Sequence, residues 1–339
     1  MKLFSSTLAR KSAIATAATA VLLLSACGGP AGVNGELKNS SSTGTSVTNA
    51  VSTPSMKVAF ITHASPGDTF WDIARKGAET AAAKDNIELL YNSDPDGSRQ
   101  AQLVEQAVDQ GVDGIVVTLA KPDALAGALA KAKEAGIPVF TINSGEAESA
   151  TVGALAHFGQ NESVAGEAAG EALNEQGSKR VICVIHEQGN VGLESRCEGV
   201  SKTFSGQYEV LYVQGTDMTN VASTITSKLQ TNSDIDAILT LGAPIAMTAI
   251  DSAADAGSEA AIATFDMNSD AISALQSGGL DFIVDQQPYL QGYSAVDGIW
   301  LYKTNGNVLG GGQAVLTGPQ IITSENADAV AEYAANGTR

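Results

Sequence analysis

Lys57-Val58-Ala59-Phe60-Ile61-Thr62-His63-Ala64-Ser65-Pro66-Gly67-Asp68-Thr69-Phe70-Trp71 holds the first complete unit of this chain. Val58 to Thr62 reads as a buried strand. After a polar turn, Phe70, Ala74, Ala78 and Ala81 recur at helical spacing until Lys84-Asp85-Asn86. A second strand is expected over Glu88 to Tyr91, a helix over Gln100 to Gln110 stopped by Gly111, and a strand over Gly114 to Leu119. A helix over Asp123 to Ala135 stopped by Gly136 and a strand over Pro138 to Asn143 continue the series. The helix-to-strand step recurs at Gly177 into Val181 to Ile185, at Asp234 into Ala237 to Leu241, and at Gly257 into Ala261 to Phe265. Such alternation predicts parallel sheets with helices on both faces.

Composition agrees. The 339 residues are enough for two domains, and 44% hydrophobic residues can build two cores. Aromatic content of only 5% with 35 glycines argues against an all-β sandwich and for closely packed helices. A net charge of −18 argues against nucleic acid or an anionic membrane surface as a partner of the folded body.

The N-terminus predicts export. Lys2, Arg10 and Lys11 precede the apolar run Ala13 to Leu24, which is too short for a membrane-spanning helix. Residues 1–26 therefore read as a signal peptide. Leu24-Ser25-Ala26-Cys27 resembles the bacterial lipobox, in which the Cys thiol takes a diacylglycerol and becomes the first mature residue. The alternative is an ordinary secretory signal with a chance cysteine. Residues 27–55, rich in Gly, Ser, Thr and Asn, cannot bury enough surface to fold and read as a disordered tether.

In open α/β sheets ligands sit beyond the carboxyl ends of the strands, so the residues following each strand are the candidates. They are polar: His63, Asp68, Phe70 and Trp71 after the first strand, then Asn143 and Ser144, His186, Glu187 and Gln188, Asp266, and Gln286. Asp68 has a bland alternative as a helix cap, and both rings could be core. Adjacent helical residues point about 100° apart, however, so Phe70 and Trp71 are not expected to share one buried stripe, and at least one is expected to face the strand-end cleft. Sharper chemistries fail. His186-Glu187 lacks the second histidine of a zinc-protease motif, so no metal is expected. Asn92-x-Asp94-x-Asp96-Gly97 imitates a calcium loop but has Leu103 at position twelve, and a turn is expected instead. No phosphate cradle or nucleophile elbow occurs, and no cofactor is implied.

From Lys57 to about Ile322 these residues resemble a type I periplasmic binding protein of the ribose, galactose and simple-sugar class. The likeness rests on Asp68-Thr69-Phe70-Trp71, Ile137 to Ser144, His157-Phe158-Gly159-Gln160-Asn161, Ser195-Arg196-Cys197-Glu198-Gly199, Thr264-Phe265-Asp266 and Asp285-Gln286-Gln287-Pro288, in family order. It implies two Rossmann-like lobes joined by a hinge of three crossings. Lobe I is expected to be residues 56–160 with 288–316, and lobe II residues 161–287 with 317–339. It also implies a monomeric, non-enzymatic receptor on the outer face of the cell membrane, held there by lipid. That receptor delivers a neutral monosaccharide or polyol to an ABC permease and its ATPase. The ligand set implied is Asp68, Phe70, Trp71, Asn143, Ser144, Gln160, Arg196, Gly242, Asp266 and Gln286. Carboxylates accept from sugar hydroxyls, the Arg fork donates, amides do both, and the aromatic faces cover C–H surfaces. Ribose receptors typically carry Asp-Arg where this chain has Asn143-Ser144, and Asn where it has Gly242. That departure leaves room for a larger hexose or a polyol. A surface carbohydrate-active hydrolase and a sugar-sensing component uncoupled from transport are the alternatives. In an exported chain Cys183 and Cys197 can form a disulfide, the alternative being two buried thiols.

Overall fold

The computed structural model describes residues 53–339. The signal peptide, Cys27 and nearly all of the expected tether therefore lie outside the described residues. Two six-stranded sheets organise the chain. The first takes β1 (Met56–Thr62), β2 (Ile87–Ser93), β3 (Gly114–Thr118), β4 (Val139–Ile142) and β5 (His157–Gly159). Between them run α1 (Thr69–Asp85), α2 (Gly97–Asp109), α3 (Pro122–Glu134) and the short α4 (Glu146–Ser149). The second takes β6 (Arg180–Ile185), β7 (Gln207–Tyr212), β8 (Ala237–Thr240), β9 (Ala261–Phe265) and β10 (Phe282–Asp285). Its helices are α5 (Glu162–Glu175), α6 (Val191–Thr203), α7 (Met218–Thr231), α8 (Ala243–Ala256) and α9 (Ser269–Ser277). The chain then returns through α10 (Pro288–Asn305), packed on α1 and the first sheet, to β11 (Val315–Leu316), and crosses again to β12 (Gln320–Ile322) and α11 (Asp328–Ala335).

The strand orders are β11-β5-β4-β3-β1-β2 and β12-β10-β9-β8-β6-β7. All pairings are parallel except β10 with β12. These are two α/β lobes of one topology. Each sheet is covered on both faces, so alternate residues of a strand enter different cores: Val58 and Phe60 pack under α1 and α10, Ala59 and Ile61 under α2 and α3. In β6, Ile182 and Val184 face one core while Val181, Cys183 and Ile185 face the other. Burial on both sides explains why these strands are apolar runs instead of alternating patterns.

The helices start where side chains cap them. Asp68 Oδ1 accepts from the backbone N–H of Phe70 at 3.1 Å, so the capping role is real, and Asp96, Asn161, Asn190 and Asn268 cap α2, α5, α6 and α9. Asp94 accepts from the Asp96 N–H at 2.9 Å, so the calcium-like segment is the turn that launches α2. Cys183 on β6 and Cys197 on α6 are joined by a disulfide, with Cα atoms 5.9 Å apart. Among the described residues no helix is long and apolar enough to cross a membrane.

Candidate functional site

Three pairs of residues occupy matching places, immediately after equivalent strands of the two lobes. They are His63 and His186 after β1 and β6, Asn143 and Asp266 after β4 and β9, and Gln160 and Gln286 after β5 and β10. All converge where the sheets' carboxyl ends meet. Asn143 and Asp266 both adopt left-handed backbone, φ 62° and 66°, a conformation that Asn and Asp tolerate better than other side-chain-bearing residues. Gln286 ties them together: its Oε1 accepts from Asn143 Nδ2 at 3.1 Å and its Nε2 donates to Asp266 Oδ1 at 2.6 Å.

A cavity of about 540 Å³ opens in front of these residues, within the range of small-molecule sites. Asp68, Phe70, Trp71, Asn143, Arg196, Gly242 and Asp266 line it. Phe70 and Trp71 meet edge to face, with ring centroids 4.8 Å apart, and both belong to the core under α1 as well as to the cavity wall. Arg196 is 2% exposed, and its fork grips Glu162, Nε to Oε2 at 2.6 Å and Nη2 to Oε1 at 3.0 Å. Its Nη1 lies 3.8 Å from Asp266 Oδ2, and the guanidinium stacks over Phe265.

Three expected ligand residues are placed differently. Ser144, Gln160 and Gln286 do not line the cavity. The Ser144 hydroxyl faces Asn143 Oδ1 at 3.0 Å and Asn190 Oδ1 at 3.3 Å. Gln160 donates to Glu162 Oε2 at 2.8 Å, and Gln286 also accepts from Gln291 at 2.9 Å. Apart from Gln160 Oε1, which is buried without a partner, their polar groups bond to neighbours, so they hold the wall from behind. The partner of Arg196 is likewise Glu162 before Asp266, and Glu162 is absent from the sequence-derived set. As the first residue of α5 it reads like an ordinary first-turn acid.

The cavity also takes residues that strand-end reasoning raised without assigning, or did not reach. His63, His186, Glu187 and Gln188 belong to the first group; Lys121, Asn190, Tyr212 and Met218 belong to the second. Asn190 bears the signature of a helix cap, which conceals its second task. Its Nδ2 reaches His63 Nε2 at 3.2 Å across the cleft, and Lys121 meets Glu187 at 3.0 Å beside it. Tyr212 ends β7, an edge strand whose half-exposed Gln-Tyr-Glu-Val-Leu-Tyr lacks the apolar run of the central strands.

Burial opposes charge on the aspartates and histidines of the chamber. Burial raises the Asp68 carboxyl to about 6. Burial raises Asp266 to about 7, against the pull of Arg196 and Gln286. Burial lowers His63, and lowers His186 to about 4, so both imidazoles are uncharged. Carboxyls, an amide, one compensated guanidinium and two aromatic faces suit an uncharged, hydroxyl-rich ring.

Two parallel α/β lobes with a polar chamber between their strand ends define a solute-binding architecture. A family model described as a periplasmic binding protein domain matches residues 58–306, and the chain belongs to that family. It is similar to the crystal structure of a carbohydrate transporter from Acidothermus cellulolyticus 11B in complex with myo-inositol. That similarity is 52% identity at a TM-score of 0.84, covering 84% of this chain and 100% of the other. It is 25% identical to the xylose/arabinose-binding protein of Sulfolobus acidocaldarius, over 80% of this chain and 72% of that one. It is 26% identical to the ribose import binding protein of Bacillus subtilis, over 67% of this chain and 75% of that one.

Proposed function

We propose that this protein is the extracytoplasmic receptor of an ABC importer, closing on one neutral ring polyol, a cyclitol or a monosaccharide, and presenting it to a permease and its ATPase. The observation that carries this reading is the composition of the chamber. Acceptors from both lobes, Asp68 and Asn143 from one and Asp266 from the other, converge beside Phe70 and Trp71 with no uncompensated cation to hold an anionic ligand. A ring with hydroxyls on its edge and C–H groups on its face satisfies both surfaces at once. The myo-inositol bound by the 52% identical relative makes a cyclitol the first ligand to try.

A thermal-shift panel of myo-inositol, D-galactose, D-xylose, D-arabinose and D-ribose tests the reading. A ligand at about 100 times its dissociation constant adds about 2.7 kcal/mol of stability. We expect the largest shift from a six-membered polyol, and no shift from any of the five would sink the proposal. Chromatography of the same mixtures separates a receptor, which returns its ligand unchanged, from a hydrolase. We further propose that Cys27 carries two acyl chains on a diacylglycerol, since one chain anchors only marginally. Cys27→Ala should then release the protein to the medium, and retention at the membrane would refute the anchor.

A further inference from the structure

Because the lobes share one topology, residues at matching places can be compared directly. In each sheet the order runs second, first, third, fourth, fifth strand, so the topological switch point lies between β1 and β3 in one lobe and β6 and β8 in the other. His63 and His186 sit at these two points, each the residue after the first strand, and both line the cavity. Thr118 and Thr240 end the strands beside them.

The equivalence stops at the hydrogen bonds. His63 Nδ1 lies 2.8 Å from Thr118 Oγ1, and its Nε2 faces the Asn190 amide nitrogen, which can only donate. Asn190 Oδ1 meanwhile accepts from the Gly192 N–H at 3.0 Å, which fixes the amide's orientation. Both ring nitrogens of His63 are thus engaged within the protein. In the second lobe Thr240 Oγ1 turns to Thr264 Oγ1 at 2.7 Å, and His186 Nδ1 is left buried with no partner. A buried unpaired N–H is the costlier orphan, so the neutral ring places its proton on Nε2.

Two glycines decide what Nε2 faces. A Cβ on Gly215 would fall 3.1 Å from His186 Cδ2, and a Cβ on Gly242 3.3 Å from His186 Cε1. These are the two ring carbons flanking Nε2. The tip of the imidazole thus lies between two residues without side chains, Gly215 beyond β7 and Gly242 at the start of α8, and no side chain from either covers it.

We propose that His186 is a specificity-determining ligand contact, donating Nε2–H to an oxygen of a neutral ring polyol, with Gly215 and Gly242 keeping that donor uncovered. The proposal rests on the receptor reading above. It adds one neutral donor to a chamber whose ionisable groups mainly accept, so a polyol lacking the matching hydroxyl leaves the donor unpaired and is rejected.

Two measurements on the mature, full-length protein test it. Calorimetry with myo-inositol, D-galactose and D-ribose compares the parent with His186→Phe, which keeps a ring and loses the donor, and His186→Gln, which restores an N–H. His186→Phe should bind the parent's ligand roughly tenfold more weakly or worse, with partial recovery in His186→Gln. The unliganded His186→Phe protein should unfold no earlier than the parent, since an orphaned nitrogen has been removed. Nitrogen NMR of the parent labelled at its histidines needs no variant to fold. His186 should appear as the Nε2–H tautomer, and its Nε2 signal should move on ligand addition. Binding by His186→Phe within twofold of the parent, or an unmoved Nε2 signal, overturns the inference while leaving the receptor reading standing. Absence of binding by the parent to all three compounds, and to D-xylose and D-arabinose as well, overturns both.

Discussion

Glu162 and Arg196 form a buried pair, 6% and 3% exposed at their side chains, and Arg196 reaches the ligand chamber only because Glu162 holds its far edge. Removing one member of such a pair strands the other's charge, which costs about 3–5 kcal/mol. Glu162→Gln should therefore lower stability by about that much in urea unfolding. It should also weaken ligand binding, because Arg196 is then drawn to Asp266 and an acceptor is lost. A change below about 1 kcal/mol would show that the pair is solvated. Asp266 and Asp68 carry the pH dependence. Their folded values, about 7 and about 6, lie above the usual 3.8, so between about pH 4 and 7 these two carboxyls hold more protons folded than unfolded, and their contribution to the stability of the ligand-free protein falls as pH rises through that window. The buried His63, His157 and His186, held below their usual 6.5, contribute in the opposite sense over the acid part of it. Hydroxyls that donate to these carboxylates favour their charged form. Binding should then release protons near pH 6.5, and affinity should drop by up to about tenfold per pH unit below the titration of one carboxyl. Calorimetry in two buffers of different ionisation heat measures this directly, and zero proton release at pH 6.5 would contradict it.

At the scale of elements, α5 and α6 touch backbone to backbone. A Cβ on Gly166 would lie 2.0 Å from the Arg196 carbonyl oxygen, and one on Gly199 would lie 2.2 Å from that of Ser163. The same device joins α1 to α10, where a Cβ on Gly292 would lie 1.9 Å from the Ala74 carbonyl oxygen. Gly166→Ala must push α6 away, carrying Arg196 with it, and we expect about 1–3 kcal/mol of destabilisation together with loss of affinity. The Cys183–Cys197 bridge opposes that movement by fixing α6 to β6. Unreduced, alkylated protein should yield no modified Cys183 or Cys197 in mass spectrometry, and reduction should cost roughly 3 kcal/mol for a loop of this length. Central elements were legible in the sequence because burial on both faces makes β1, β3, β4, β6, β8 and β9 apolar runs. The edge strand β7, half exposed and mixed in pattern, and β11 and β12, two and three residues long, leave little signal. For the site, legibility stopped at the first layer. Strand-end position marks Asp68, Asn143 and Asp266. Whether Gln286 faces the ligand or binds its own neighbours depends on distances between lobes, which no local pattern encodes.

Across the whole molecule, the lobes already touch around the chamber. The Val191 N–H donates to the Ala120 carbonyl at 3.0 Å, Asn190 reaches His63, Asn268 Nδ2 donates to Thr69 Oγ1 at 3.1 Å, and Lys121 pairs with Glu187. Each contact joins one sheet's loops to the other's, and an open form has to break them, so they and the ligand stabilise the same state. We propose that the three segments crossing between the sheets, after β5, after β10 and after β11, serve as the hinge. A ligand can shift such an equilibrium only through its preference for the closed form, and on the proposed function that preference would come from hydroxyls that need acceptors on both lobes. Lys121 and Glu187 are partly exposed, so their pair contributes at most about 1 kcal/mol. Lys121→Ala should then raise the open population of the free protein and weaken affinity by roughly twofold to fivefold. Small-angle scattering should show the parent compact on ligand addition and the variant start from a larger radius yet reach the same bound value. A variant whose free and bound radii both match the parent's, with unchanged affinity, would mean that the Lys121–Glu187 contact plays no part in holding the lobes together.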